Sequence, residues 1–430
     1  MSVALSSAYP LRLHSAAIEV APLPPERLLA LAGEPAAAFL APDGEGNGGD
    51  AWVGIGAAHW LGEEPDAASA LWAGLRDTSP EAPAPALLGA LPFRPGESPD
   101  ALWQGLMPGG LMLPERLYVQ RGGRAWLRLT LPAHEAGSLS ARLARARAAL
   151  SALAAAETAP LPPFDTLDEG DAPGRYARAV TEAVARIRAG ELVKVVLARR
   201  AAVAFESAPE PAAVLARLSA HHPGSVRYAW RCGGKTWLGA TPESLVRQDG
   251  RRLRTEALAG TRTLERAAEL LTSVKERHEH AIVVDAVRRA IAPLVEGLPE
   301  PCDPVIRPLR GLAHLHTPIE ATLRADADFL SLVRALHPTP AVCGLPTGRA
   351  ADLLAALEPE PRGLYAGPVV RMSADGTGHA VVALRGAVLE GRIATVPAGA
   401  GIVEGSDGEE ELAETRTKQR TVLDAVRGGS

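Results

Sequence analysis

Apolar positions in this chain repeat with two different periods, and the predicted elements follow from them. From 175 to 189, Tyr176, Val180, Val184 and Ile187 recur every three or four positions, which predicts an amphipathic helix stopped by Gly190. GSLSARLARARAALSALAAA (137–156) spaces its leucines in the same way among Ala and Arg, the pattern of a surface helix. Longer helical patterns run over roughly 265–292 and 408–426, the second with Ser406 and Glu409 as a capping box. AWVGIGAAHWL and RAWLRLTLPA read as strands ahead of the first helix. Beyond it, SVRYAWRC, KTWLGATPESLVR and RRLRTEALAGTR form one predicted meander through Gly-Gly and Asp-Gly turns. LYAGPVVRM, HAVVALRGAVL and RIATVPAGAGIV form a second. ELVKVVLARR (191–200) is different, because Leu192, Val196 and Ala198 are apolar and so are Val193, Val195 and Leu197. A strand apolar on both faces is expected to be covered on both.

Strands grouped in meanders, with helices between the groups, predict an α+β fold of large antiparallel sheets with helices packed outside. Residues 1–160 are strand-rich and punctuated by proline; ETAPLPPFD breaks the pattern and makes 157–170 a linker or a long connection. The expected organisation is one domain, with 1–160 integral to it and 161–430 carrying the chemistry. No repeat with a short fixed period is present.

Composition narrows the function. At 430 residues, 47% hydrophobic and 22% charged, the chain can bury a substantial core. The net charge is −5, and no basic block is interleaved with aromatics, so nucleic acid is not an expected partner. Cys232, Cys302 and Cys343 are scattered without metal-ligand spacing, which suits a reducing cytoplasm. MSVALSSAYPLRLHSAA lacks the basic start and continuous apolar run of a signal peptide, and no apolar run is long enough to span a bilayer. A cytoplasmic protein without a membrane partner is expected.

Four features carry candidate chemistry. Lys194 stands inside the apolar run, where loss of water lowers a lysine's proton affinity and makes it a base; the alternative is a stem that packs while its head snorkels to the strand end. Glu276 and Glu279 share one helix face, and Glu411 and Glu414 share another, with Lys418 one turn on. Such pairs are either solvated decoration or sites for a hard cation such as Mg²⁺, which accepts a few protein oxygens and keeps its waters. His278 and His280 are two apart on a helix and face different ways, so zinc is the weaker reading. AGAG (398–401) either brings backbone N–H groups close to an anion or makes a tight turn. Arg385, in the apolar VVALRGAVL, needs a carboxylate partner from the protein or a substrate.

KVVLAR, GATPESL, LAGTR, KERHEH, AHLHT, HPTPAVCGLP, LYAGPV, ALRGA and AGAGIVEGS…EEELAETRTK occur in this order over about 173–428. In these motifs the chain resembles the chorismate-utilising enzymes, and within them the isochorismate synthases. AWVGIGAA and LMLPERL resemble the strand-rich start of the same group. The resemblance implies a Mg²⁺-dependent conversion of chorismate to isochorismate, by water addition at C2 and loss of the C4 hydroxyl. Carried over residue by residue, Lys194 matches the base that activates water and Glu243 the acid that protonates the leaving hydroxyl. Glu279 and Glu414 match direct Mg²⁺ ligands, and Glu276 and Glu411 the partners of its waters. Tyr365 and Arg385, with backbone near Gly399, match the groups that bind the enolpyruvyl carboxylate. Gly260, Thr261, His314, Ala341 and Lys418 match other substrate-pocket positions.

Single positions separate the relatives. Anthranilate synthases carry glutamine in place of Lys194, so no obligatory glutaminase subunit is expected. Aminodeoxychorismate synthases carry a lysine where this chain has Ala259. Salicylate synthases share the lysine base and then eliminate pyruvate; many have threonine where this chain has Ala341, and they are the runner-up. A non-catalytic chorismate-binding protein would lack the base, the acid or part of the metal set, and here all are present. The resemblance leaves menaquinone and siderophore biosynthesis both open, and a monomer is expected.

Overall fold

The computed structural model describes residues 12–42, 49–61, 67–155, 160–165, 167–298, 300, 302–309 and 312–427, apart from the side chains of Lys275, Thr261, Leu309 and Leu312. The N-terminal start, parts of 157–170 and the side chain of the candidate Thr261 therefore lie outside the described residues. The first strands are β1 (Leu13–Val20), β2 (Ala36–Leu40), β3 (Ala51–Trp60), β4 (Leu75–Asp77), β5 (Ala86–Ala90), β6 (Gly110–Arg121) and β7 (Arg124–Pro132). The helices α1 (Ala67–Gly74), α2 (Leu139–Ala155) and α3 (Ala172–Arg188) interrupt or follow them. Then come β8 (Lys194–Ala204), α4 (Pro211–His221), β9 (Val226–Cys232), β10 (Lys235–Thr241), β11 (Ser244–Asp249) and β12 (Arg252–Thr263). The short α5 (Glu269–Thr272) leads into α6 (Val274–Ile291), β13 (Val305–Leu309), β14 (Leu312–Thr322) and α7 (Phe329–Leu336). The chain ends with β15 (Gly344–Leu345), α8 (Thr347–Leu357), β16 (Pro368–Ser373), β17 (Gly378–Val382), β18 (Gly386–Glu390), β19 (Ile393–Ile402) and α9 (Gly408–Val426).

The α+β expectation holds, with all these strands joined in one branched network that is antiparallel except for the β1–β4 contact. The branch point is β6, which pairs with β7, β3 and β5. One arm runs β3–β2–β9–β10–β18–β19–β8–β15. The other runs β5–β16–β17–β11–β12–β14–β13. Helices α3 and α9 cover the first arm, and α6 covers the second. The larger apolar core runs through both halves of the chain, from Leu87 and Trp103 to Val195 and Val381.

Local patterning explains the helices. The stripe Tyr176, Val180, Val184 and Ile187 is buried, each such side chain contributing about 2 kcal/mol, and Gly190 takes the positive φ of +77° that ends the helix. The expected surface helix is α2, which buries only Leu143 and Leu150. In the connection at 157–170, Asp168 bridges to Ala202 of β8 and Phe164 to Phe205 just beyond it, and Glu169 pairs with Arg199 and Arg416 at 2.7 Å.

Five expectations change. The helical stretch 265–292 is broken at Ser273, whose hydroxyl accepts the N–H of Glu276 and restarts the helix there. KTWLGATPESLVR is not one strand: β10 stops before Pro242 and β11 resumes after Glu243, because the first pairs with β18 and the second with β17. HAVVALRGAVL breaks opposite, so Arg385 lies between β17 and β18 at φ +52°, not within a strand. The cap of α9 is Asp407, accepting from the N–H groups of Glu409 and Glu410, while Ser406 donates to Glu411 at 2.6 Å. ELVKVVLARR is not covered on both faces throughout: Val193 is 50% exposed, and Lys194 opens β8.

Candidate active site

The two facing breaks build the centre of the site. The Val382 N–H donates to the Glu243 carbonyl (3.0 Å) and the Ala240 N–H to the Arg385 carbonyl (3.0 Å), so the two gaps, each carrying the chain from one arm to the other, are stitched together. Gly239 and Gly386 are paired here, and a Cβ on Gly239 would lie 2.7 Å from the Arg385 carbonyl oxygen. Arg385 is held in left-handed backbone, a strained conformation for a residue with a Cβ. An uninterrupted strand would instead direct successive side chains to opposite faces.

Lys194 comes from the adjoining β8, and β19 leaves room for it. AGAG is no turn: Gly399 pairs with Ala198 and Gly401 with Val196 inside the strand. A Cβ on Gly401 would meet Lys194 Cε at 2.7 Å and Nζ at 3.3 Å, and one on Gly399 would meet the Tyr365 hydroxyl at 3.3 Å. Gly401 is a residue that sequence reasoning passed over, although the motif containing it was visible. Replacing it with alanine is expected to leave the fold intact, since the lysine tip can swing aside, and to reduce turnover at least tenfold. Far-UV circular dichroism beside a turnover assay checks this, and unchanged turnover would remove Gly401 from the support of Lys194.

The electrostatics place the candidates together. Burial lowers the proton affinity of Lys194 and the Lys418 cation adds to it, against Glu279, Glu243 and Glu414. Glu243 is driven the other way, to about 7, chiefly by burial and then by the Glu256 carboxylate, against Lys194, Lys418 and Arg385. Burial also holds His314 below the ordinary imidazole value, with Lys418, Arg307 and Arg385 adding to this against a backbone contact at Gly260. Tyr365 is pushed up to about 12, mainly by burial, with Arg362 and Arg385 opposing. Lys194, Glu243, Glu279, His314, Tyr365, Arg385, Glu414 and Lys418 thus share one electrostatic neighbourhood.

The carboxylate pairs approach it on the first two turns of α6 and α9, with Glu276 and Glu411 in the first turn, where the helix dipole favours negative charge. Glu276 is buried and bonds Arg262 at 2.5 Å, and Gly260, at φ +73° in the β12 bulge, keeps clear of its Oε2. Glu414 pairs with Lys418 at 2.6 Å, and Lys418 also donates to the Gly399 carbonyl at 2.7 Å. Burial raises the Glu411 proton affinity, the Ser406 hydroxyl opposes it, and Glu414 raises it further. Among the described residues, no group of three or more His, Cys, Asp or Glu is arranged to hold a metal. Paired carboxylates at this spacing are nonetheless a donor set suited to a hard cation. Ala341 supplies only backbone and a half-buried methyl group, in the loop before β15, whose Leu345 pairs with Lys194.

Glu256 was also missed. It is held by Arg307 (2.6 Å) and His316 (2.8 Å), both on its Oε2. Burial alone would raise its proton affinity, but these two partners bring it below the ordinary value, so it stays a fixed anion. The TEALAGT stretch containing it was read for Ala259, Gly260 and Thr261 and not for its glutamate.

Over residues 51–427 the sequence matches the chorismate binding enzymes, and the chain belongs to that family. It is 36% identical over 363 residues to the salicylate biosynthesis isochorismate synthase of Pseudomonas aeruginosa, covering 80% of this chain and 75% of that one. It is 37% identical over 273 residues to isochorismate synthase DhbC of Bacillus subtilis, covering 59% and 68%. Its fold matches that of MenF, the menaquinone-specific isochorismate synthase of Escherichia coli, with a TM-score of 0.80 at 26% identity, over 98% of this chain and 96% of that one. Among the described residues no helix is long and apolar enough to cross a membrane.

Proposed function

We infer that this enzyme is an isochorismate synthase, an isomerase that exchanges the C4 hydroxyl of chorismate for a hydroxyl at C2. The observation that carries the reading is the opposed tuning of two groups in one neighbourhood, Lys194 lowered and Glu243 raised to about 7. A base must be free of its proton and an acid must hold one at the same pH, and separating two proton affinities by environment achieves this. Lys194 takes a proton from the attacking water, and Glu243 donates one to the departing hydroxyl. Arg385 and Tyr365 bind the enolpyruvyl carboxylate together with backbone at Gly399, and Gly260, Thr261, His314, Ala341 and Lys418 complete the substrate pocket.

Glu279 and Glu414 would hold Mg²⁺ directly, with Glu276 and Glu411 on its waters. When bound, the ion supplies positive charge that neutralises and orients the ring carboxylate. Glu414→Gln is expected to raise the Mg²⁺ concentration needed for half-maximal turnover at least tenfold, read from a metal titration at fixed chorismate. An unchanged requirement would remove Glu414 from the ligand set.

The reading is tested by incubating the protein with chorismate and Mg²⁺, with and without EDTA, and separating the products. Isochorismate alone, abolished by EDTA, is expected. Salicylate with pyruvate would replace the reading with that of a salicylate synthase, and saturable binding without turnover with that of a binding protein. The protein is proposed to act in the cytoplasm as a monomer, in a single domain, without a glutaminase partner.

A further inference from the structure

Away from this site, an open cleft of about 310 Å³ lies where β3 of the N-terminal part meets β11, β16 and β17. Among the described residues its lining includes Arg121, Arg247, Arg252, Arg254 and Arg371, against two carboxylates, Asp50 and Asp249. Two of these arginines share one neighbour, since Arg252 (2.5 Å) and Arg254 (3.0 Å) both reach Glu320. Arg121 faces Asp50 at a loose 3.5 Å.

Among the described residues the remaining two make no ion pair with a carboxylate within 4.0 Å, although Asp375 and Asp50 act on Arg371, and Glu256 on Arg247, from further away. Arg371 is 8% exposed and stacks its guanidinium 4.3 Å over the Trp52 ring. Its Nη1 bonds only neutral oxygens, those of Ser373 (3.1 Å) and Thr377 (2.7 Å), and its buried Nε has no partner. Burial, with Arg121 and Arg247 adding to it against Asp375 and Asp50, brings its proton affinity down to about 10. Arg247 is exposed and, among the described residues, makes no hydrogen bond or ion pair within 4.0 Å. An arginine sunk this far with no carboxylate in ion-pair contact carries a desolvation cost that the more distant Asp375 and Asp50 offset only in part, because a buried cation is ordinarily paired. Guanidiniums with unused N–H groups match carboxylate and phosphate oxygens.

We propose that this cleft is a second binding site, separate from the catalytic one, which takes a small multivalent oxyanion between Arg371 and Arg247. The shared chemistry is two or more negative charges on a group small enough for the cleft, carried by either phosphate or carboxylates. Trp52 forms a flat wall behind Arg371 and fixes the plane of its guanidinium. The strands that supply Arg247 and Arg371, β11 and β16, are each paired on both edges, so the site is formed before a ligand arrives.

The test uses calorimetric titration of the intact protein, free of Mg²⁺ and chorismate, with inorganic phosphate and separately with succinate, at constant ionic strength set by potassium chloride. Saturable binding of at least one probe is expected, with phosphate or succinate identifying the preferred group. Arg247→Gln, at an exposed position, is expected to weaken it at least tenfold while leaving the melting temperature unchanged. Arg371→Gln is expected to abolish it, and if that variant does not fold, Arg247→Gln still decides. Arg385→Gln, in the catalytic pocket, should leave probe binding as in the wild type. No binding beyond the chloride control, or binding lost in Arg385→Gln and kept in Arg247→Gln, would overturn the proposal.

Discussion

Lys194→Ala is expected to lose turnover by about 10²–10⁴-fold, the usual contribution of a positioned base, while chorismate still binds in the presence of Mg²⁺. The lysine opens β8 beside the Gly401 backbone, and its Nζ makes no hydrogen bond or ion pair among the described residues. It is therefore poised to receive a proton and is not spent on structure. Its lowered proton affinity gives a second readout. A lysine with a lowered value binds fewer protons folded than unfolded, so it costs stability at neutral pH, and that cost fades as pH rises toward its ordinary value. Near-normal turnover in the alanine variant would take Lys194 out of the mechanism.

Glu243→Gln should have an effect of similar size on turnover and should also change the shape of the pH profile. With Glu243 titrating at about 7, the wild-type kcat/KM is expected to fall as pH rises through that value, because the acid loses the proton it must donate. The glutamine variant keeps a neutral side chain at every pH, so this descending limb should disappear from its residual activity. Stability moves in the matching direction. A carboxyl raised from 4.5 to about 7 binds more protons folded than unfolded, so its favourable contribution is complete below 4.5 and is lost as pH climbs through about 7. Glu243→Gln is therefore expected to melt at a higher temperature than the wild type at pH 8 and to differ less at pH 5. A descending limb that survives in the variant would assign the acid elsewhere. The fixed anion Glu256, second among the causes of the shift, is a residue whose loss would shift the same limb to lower pH.

Much of the candidate site was legible because its residues fall in short, dense motifs. ATPESL carried Glu243, LYAGPV carried Tyr365, and the two helix-borne pairs Glu276/Glu279 and Glu411/Glu414 were visible as like charges three apart. The apolar run around Lys194 was read correctly as buried strand from Val195 onward and incorrectly at Val193, which is 50% exposed. An alternating or continuous apolar pattern reports which residues leave water, but it does not mark where the strand begins relative to its neighbours.

The sequence by itself determined the strand-rich segments and the longer helices in their order, the stripe by which α3 packs and the family to which the chain belongs. Periodicity and motif content are local properties, and each is written in consecutive residues. Only the tertiary structure decided that β10 and β11 part at Glu243, that Arg385 sits in the facing gap, and that Gly401 stands against Lys194. Each of these depends on which distant strand supplies the hydrogen-bond partner. β10 finds β18 and β11 finds β17, and the change of partner, not any change of hydropathy, opens the gap that holds Glu243.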